Sequence, residues 1–125
     1  MNQEKRVAIV TGAAQGIGRR VSEVLAERGY RLALIDLRVP KETMPSIQAH
    51  GAEALSQAGD ITNESVVEEF VRRVYDAWGR SDVLVNNAGI AFISPAESTA
   101  SADYRRVLEV NLVAPFLLEI GRAHV

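Results

Sequence analysis

At 125 residues the chain is long enough for one domain with a hydrophobic core and too short to suggest two. Hydrophobic residues make up 47% and charged residues 24%, the balance of a soluble globular protein, and a formal charge of −2 argues against nucleic acid or an anionic membrane as partner. The absence of cysteine excludes disulfides, thiolate metal ligands and a cysteine nucleophile. His50 and His124, the two histidines, are far apart, so no metal site is expected. The polar stretch Met1 to Arg6 runs into an apolar segment only about one strand long. That fits neither a signal peptide nor a membrane span, and the expected location is cytoplasmic.

Strand-length apolar runs alternate with helical periodicity. Val7-Ala8-Ile9-Val10 reads as a strand buried on both faces, broken at Thr11-Gly12. A helix is predicted from Gly16 to a stop at Gly29, with Ile17, Val21, Val24 and Leu25 on its apolar face. Arg31 to Asp36 is a second strand. Pro40 to Gly51 is a weaker helix, because Pro45 sits inside it. Ala52 to Gln57 reads as a third strand. Asn63 is a fitting N-cap for a helix whose stripe is Val66, Val67, Phe70, Val71, Val74 and Trp78, closed by Gly79. Asp82 to Val85 is a fourth strand, followed by a turn at Asn86 to Gly89. Ser101 opens the last helix, carrying Tyr104, Val107, Leu108, Asn111 and Leu112. The order βαβαβαβα argues an α/β fold with a parallel sheet and helices on both faces.

Chemistry is concentrated at the carboxyl ends of the strands. Thr11-Gly12-Ala13-Ala14-Gln15-Gly16-Ile17-Gly18 lies between the first strand and the first helix. Its glycines allow a tight turn and close approach to a pyrophosphate, which free N–H groups at the helix start would face. A glycine cluster can also be a plain turn that needs positive φ. The flanking strand and helix, with an acid ending the next strand, favour the dinucleotide reading.

That acid is Asp36, 18 positions beyond Gly18. Its carboxylate can accept hydrogen bonds from the adenosine ribose and repels a 2′-phosphate. At about 4 Å and an effective dielectric near 20, a unit charge pair is worth roughly 4 kcal/mol, and even a quarter of that favours NAD over NADP about fivefold. Gln15, where a phosphate-binding cation could stand, agrees with NAD. Arg38 dissents, since an arginine can neutralise a 2′-phosphate, although it also reads as a solvated loop charge. Asp60-Ile61 and Asn86-Asn87-Ala88-Gly89 follow the third and fourth strands, where open α/β sheets bind ligands. Each also suits simple capping or turn chemistry.

TGAAQGIG, Asp36, Asp60-Ile61, NNAG and Asn111-Leu112, in this order over residues 6 to 118, together resemble the short-chain dehydrogenase/reductase family, in its compact single-domain form. The resemblance implies a Rossmann-type doubly wound parallel sheet, truncated here after about four strands. It implies NAD, or less readily NADP, with Gly12, Gln15, Gly16, Ile17 and Gly18 lining the pyrophosphate. Asp36 and Leu37 would hold the adenosine ribose, and Asp60 and Ile61 would border the adenine. Asn86, Ala88 and Gly89 would face the cofactor while Asn87 braces the sheet. Asn111 matches an asparagine that distorts its helix and anchors a water leading to the catalytic lysine. The implied activity is interconversion of an alcohol and a ketone by hydride transfer, in a homodimer or homotetramer formed partly through the Tyr104-bearing helix. A non-catalytic dinucleotide-binding half-domain is the alternative.

The family's catalytic serine and Tyr-x-x-x-Lys lie beyond the fifth strand. Here the tyrosines at 30, 75 and 104 are followed four residues later by Leu34, Gly79 and Leu108, and the two lysines are Lys5 and Lys41. No residue fills the role of a tyrosine whose pKa a nearby cation lowers. Residues 1–118 are therefore read as the N-terminal part of a nucleotide-binding domain. Glu119 to Val125 are expected to be a non-native tail, because GAG ATC GGA AGA GCA CAC GTC would encode them and resembles a sequencing-adapter read-through. A half-built sheet would leave the fourth strand as an open apolar edge, prone to aggregation.

Overall fold

The computed structural model describes residues 5–91 and 93–123. Met1 to Glu4, Phe92, His124 and Val125 lie outside them, and with them most of the polar N-terminus and the end of the expected tail. Four strands, β1 (Val7–Thr11), β2 (Arg31–Asp36), β3 (Ala54–Ala58) and β4 (Val83–Val85), form one parallel sheet in the order β3-β2-β1-β4. The helices are α1 (Gly16–Glu27), α2 (Thr43–Gln48), α3 (Glu64–Trp78), α4 (Ser101–Leu108) and α5 (Ala114–Ala123). This is the Rossmann-type α/β arrangement that the sequence predicts.

Strand alternation divides the core in two. Val7, Ile9, Ala33 and Ile35 pack on Phe70, Val71 and Val74 of α3 and on Leu118 of α5. Their neighbours Ala8, Val10, Leu32 and Leu34 point the other way, against Ala26 of α1 and Ile47 of α2. Every residue of β1 is buried, which explains its unbroken β-branched run. Phe70 is the largest fully buried side chain, and truncating a residue of this kind costs about 3–5 kcal/mol.

Several boundaries and one face differ from the sequence reading. The α2 helix is only Thr43–Gln48, and Pro45 fits because it lies in the first turn, where its missing N–H has no intrahelical partner. The third strand starts two residues later than expected, at Ala54, in register with Leu32. The buried strip of α1 is Gly18, Ser22 and Ala26, whereas Ile17 is 74% exposed. Small residues let α1 lie close to the sheet, and the buried Ser22 hydroxyl is satisfied by donating to the Gly18 carbonyl at 2.7 Å. The predicted stripe of α3 holds, as do both its ends. Asn63 accepts from the Ser65 amide at 3.0 Å, and Gly79 closes the helix at φ +69°.

Between α4 and α5 the chain does not leave the helix. Glu109–Val113 form a π-helical turn, with Asn111 at its centre, so that Ser101 to Ala123 is one helical rod with a local widening. Residues 119–123, set apart by the sequence reading, continue α5, and Gly121 lies against Val71 and Val67. No helix among the described residues is long and apolar enough to cross a membrane.

The sheet's β4 edge is tied to β1 by Asp82. Its carboxylate accepts from the Val7 amide at 2.8 Å, and its own amide donates to the Val7 carbonyl at 2.9 Å. Hydrogen bonds from the Arg80 guanidinium, opposed by burial and reinforced by the Val7 amide, hold the Asp82 carboxyl below the usual aspartate range. A depressed folded-state pKa stabilises the fold above the unfolded value, near 3.9, and loses that effect as the pH falls through the folded value. Replacing Asp82 by alanine is expected to cost about 1–2 kcal/mol in urea unfolding at neutral pH. The gap should close at a pH well below about 4, and a gap unchanged in acid would show that the charge is not responsible.

Candidate functional site

A cleft of about 360 Å³ opens at the carboxyl ends of β1, β2 and β3 and beside the loop after β4. A parallel sheet sends every strand end to the same side, so motifs far apart in sequence converge there. The first wall is the β1–α1 turn, with Gly12, Gln15, Gly16 and Ile17 on the cleft. Gly12 takes φ +64°, and a Cβ there would come within 2.9 Å of Asn87 Nδ2 and 3.0 Å of the Ala88 amide nitrogen. At Gly18 an added Cβ would run into the Gly12 carbonyl oxygen and stand 2.6 Å from Asn87 Nδ2. Glycine at these two positions is therefore a packing requirement. The first turn of α1 carries no acidic residue and Gln15 places no side-chain cap on it, which suits an anion at this helix start.

Asp36 and Leu37 end the second wall. One Asp36 carboxylate oxygen accepts from the Ala14 amide at 2.9 Å, which anchors the acid against the glycine turn. The Arg38 guanidinium donates to Gln15 Oε1 at 2.9 Å. The third wall holds Gly59, Asp60 and Ile61. Burial opposes ionisation of Asp60, but hydrogen bonds from the Thr62 hydroxyl and amide and the charge of Arg106 outweigh it and hold its carboxyl below the usual range. The fourth wall is Asn87, Ala88, Gly89 and Ile90.

Thr11 joins the first and fourth walls. Buried at the end of β1, its hydroxyl accepts from the amides of Asn87 at 3.0 Å and Ala88 at 2.9 Å and donates to the Val85 carbonyl at 3.4 Å. Asn87 adds a bond from its Nδ2 to the Gly12 carbonyl at 3.1 Å. The Asn111 side chain binds both backbone groups of Ile90, accepting from the amide at 2.9 Å and donating to the carbonyl at 2.8 Å. This fastens the π-helical turn to the loop after β4.

Ten of the predicted cofactor residues line the cleft: Gly12, Gln15, Gly16, Ile17, Asp36, Leu37, Asp60, Ile61, Ala88 and Gly89. Two do not. Gly18 is buried beneath the turn, where its missing side chain lets α1 approach, and the exposed Asn86 stands outside the cleft wall that its neighbour Asn87 joins. Asn111 reaches the site through Ile90. Sequence reasoning missed Arg106 and Val110, which line the cleft from the rod's near face, and the role of Thr11. The Thr11-Gly12 pair could have signalled Thr11, but no spacing rule links Arg106 to a loop 46 residues earlier.

A family profile described as short chain dehydrogenase matches residues 6–120. Among curated relatives, an uncharacterized oxidoreductase of Thermotoga maritima is 38% identical over 120 residues, which cover 94% of this chain and 47% of that protein. A metagenomic short-chain oxidoreductase solved in complex with NADP superposes with a TM-score of 0.89 at 38% identity, over 94% of this chain and 55% of its own. NAD+-bound xylitol dehydrogenase does so with a TM-score of 0.86 at 33% identity, over 94% and 46%. The chain spans about half the length of the curated relatives it matches.

Thr11→Val keeps the strand shape and removes the hydroxyl that two backbone amides share. It is expected to cost about 1–3 kcal/mol in chemical denaturation. A loss under about 0.5 kcal/mol would mean that Asn87 alone can hold the walls together.

Proposed function

The chain belongs to the short-chain dehydrogenase family, and on that premise we propose that it supplies the dinucleotide-binding half of a cytoplasmic NAD-dependent oxidoreductase that interconverts an alcohol and a ketone. The observation that carries this reading is the cradle at Gly12 and Gly18, whose Cβ-free surfaces bring the β1–α1 turn against Asn87 and Ala88 and leave the start of α1 facing the cleft.

In this scheme Gly12, Gln15, Gly16 and Ile17 hold the pyrophosphate through backbone N–H groups. Asp36 and Leu37 hold the adenosine ribose, Asp60 and Ile61 border the base, and Ala88 and Gly89 shape the path toward the nicotinamide. When bound, the nicotinamide supplies the hydride acceptor or donor. Asp36, already anchored by the Ala14 amide, opposes a 2′-phosphate, which favours NAD over NADP. Arg38 donates to Gln15 and keeps its charge, so it is a nearby group that would favour a 2′-phosphate. Asn111 holds Ile90, and so the loop leading toward the substrate side. Proton transfer to the substrate oxygen needs a tyrosine–lysine pair, which these 125 residues do not contain.

Tyr104, Leu112 and Phe116 expose an apolar stripe along the rod, which supports assembly of the whole protein as a homodimer or homotetramer.

Fluorescence titration of the full-length protein with NADH and NADPH tests the cofactor reading. NADH should bind at least about fivefold more tightly, and Asp36→Ala should bring the two affinities to within about twofold. Equal affinities in the unsubstituted protein would remove the NAD preference. Turnover of alcohols with NAD would separate the oxidoreductase from the half-domain.

A further inference from the structure

Arg106 has no part in the scheme above, although it stands on the cleft wall. Its two terminal nitrogens reach different acceptors on the loop after β3, with Nη1 3.1 Å from Thr62 Oγ1 and Nη2 3.2 Å from Asp60 Oδ2. The Thr62 hydroxyl in turn donates to Asp60 Oδ1 at 2.7 Å, and the Thr62 amide donates to the same oxygen at 2.9 Å. Every proton in this ring has a consistent direction, because the hydroxyl donates to the carboxylate and accepts from the guanidinium.

Asp60 therefore accepts three hydrogen bonds, and a carboxylate offers about four lone-pair sites. The remaining capacity is on Oδ2, which takes only the Arg106 bond, in a residue that lines the cleft. The helix that carries Arg106 has no buried residue of its own, so polar side chains at its C-terminal end hold it to the cleft, Arg106 in its last turn and Asn111 just beyond it. A planar guanidinium suits the task, since it reaches two acceptors at once where an ammonium would concentrate its charge on one.

We propose that Arg106 is a positioning residue for recognition of the adenine amino group, acting through Asp60. It holds the carboxylate in the orientation that leaves an acceptor for an N–H donor at position 6 of the purine, and offsets its charge so that a neutral base is accepted. The inference rests on the dinucleotide reading. It goes beyond it in assigning base selectivity to a residue of α4.

The test compares NAD with nicotinamide hypoxanthine dinucleotide, which carries an oxo group where adenine has its amino group. Binding to the full-length protein is measured by calorimetry for the unsubstituted protein, Arg106→Leu, Arg106→Lys and Asp60→Asn. The unsubstituted protein should prefer NAD by about fivefold or more, as expected for a hydrogen bond to a charged group. Arg106→Leu should reduce that ratio to below about twofold, with Arg106→Lys between, and adding Asp60→Asn to Arg106→Leu should not lower it further. A purely structural role would weaken both ligands equally and leave the ratio intact, which overturns the proposal. So would an unsubstituted protein that binds both dinucleotides without preference, an outcome that spares the dinucleotide reading. Failure to bind either dinucleotide would overturn both.

Discussion

The meeting of the β1–α1 turn with the loop after β4 is the contact on which the rest of the site depends. Two glycines, a threonine hydroxyl and an asparagine side chain share a space too small for any further atom. Thr11 holds the Asn87 and Ala88 amides, Asn87 holds the Gly12 carbonyl, and Gly18 lets the first helix approach that same carbonyl. Were any of these groups larger or missing, the helix start would swing away from the cleft and the fourth wall would lose its register. The chain thus spends backbone polar groups on holding two turns together, and the side chains of the cleft inherit their positions from that joint.

The second organising feature is the helical rod from Ser101 to Ala123. Its π-helical turn brings the Asn111 side chain onto both backbone groups of Ile90, a two-bond grip in which one amide side chain replaces a strand partner. Arg106 makes a comparable grip on the loop after β3. The rod contributes Val110, Ala114 and Leu118 to burial, and its first helix contributes none, so its near end is positioned by hydrogen bonds and its far end by packing. Such a division suits a wall that must stay aligned with a ligand while the core stays closed. Tyr104, Leu112 and Phe116 on the same rod are exposed.

Hydrophobic periodicity, turn residues and motif order determined the class of fold, the order of its elements and most of the cleft. The continuous apolar runs of β1 and β2 suit strands buried on both sides, and βαβ connections make the sheet parallel with its carboxyl ends on one side. Once that is known, the glycine turn, Asp36, Asp60 and the loop after β4 fall on one side of the sheet. The α3 helix was legible to its caps, because Asn63 and Gly79 act on their nearest backbone neighbours.

What only the tertiary structure decided concerns contacts whose partners are distant in sequence. Ile17 looked like a core residue by spacing, yet the sheet accepts Gly18, Ser22 and Ala26 because a close approach favours small side chains over apolar ones. Turn chemistry alone does not separate Asn86 from Asn87; only the family resemblance gave Asn87 the bracing role, and the fold sends its amide to the Gly12 carbonyl and leaves Asn86 exposed. Arg106 reads as one more charge on a solvated helix until the fold sets Asp60 and Thr62 within its reach. Sequence patterns record the local periodicities that burial imposes, whereas a hydrogen bond between separate elements leaves no periodicity to read, and its geometry exists only once the elements have packed.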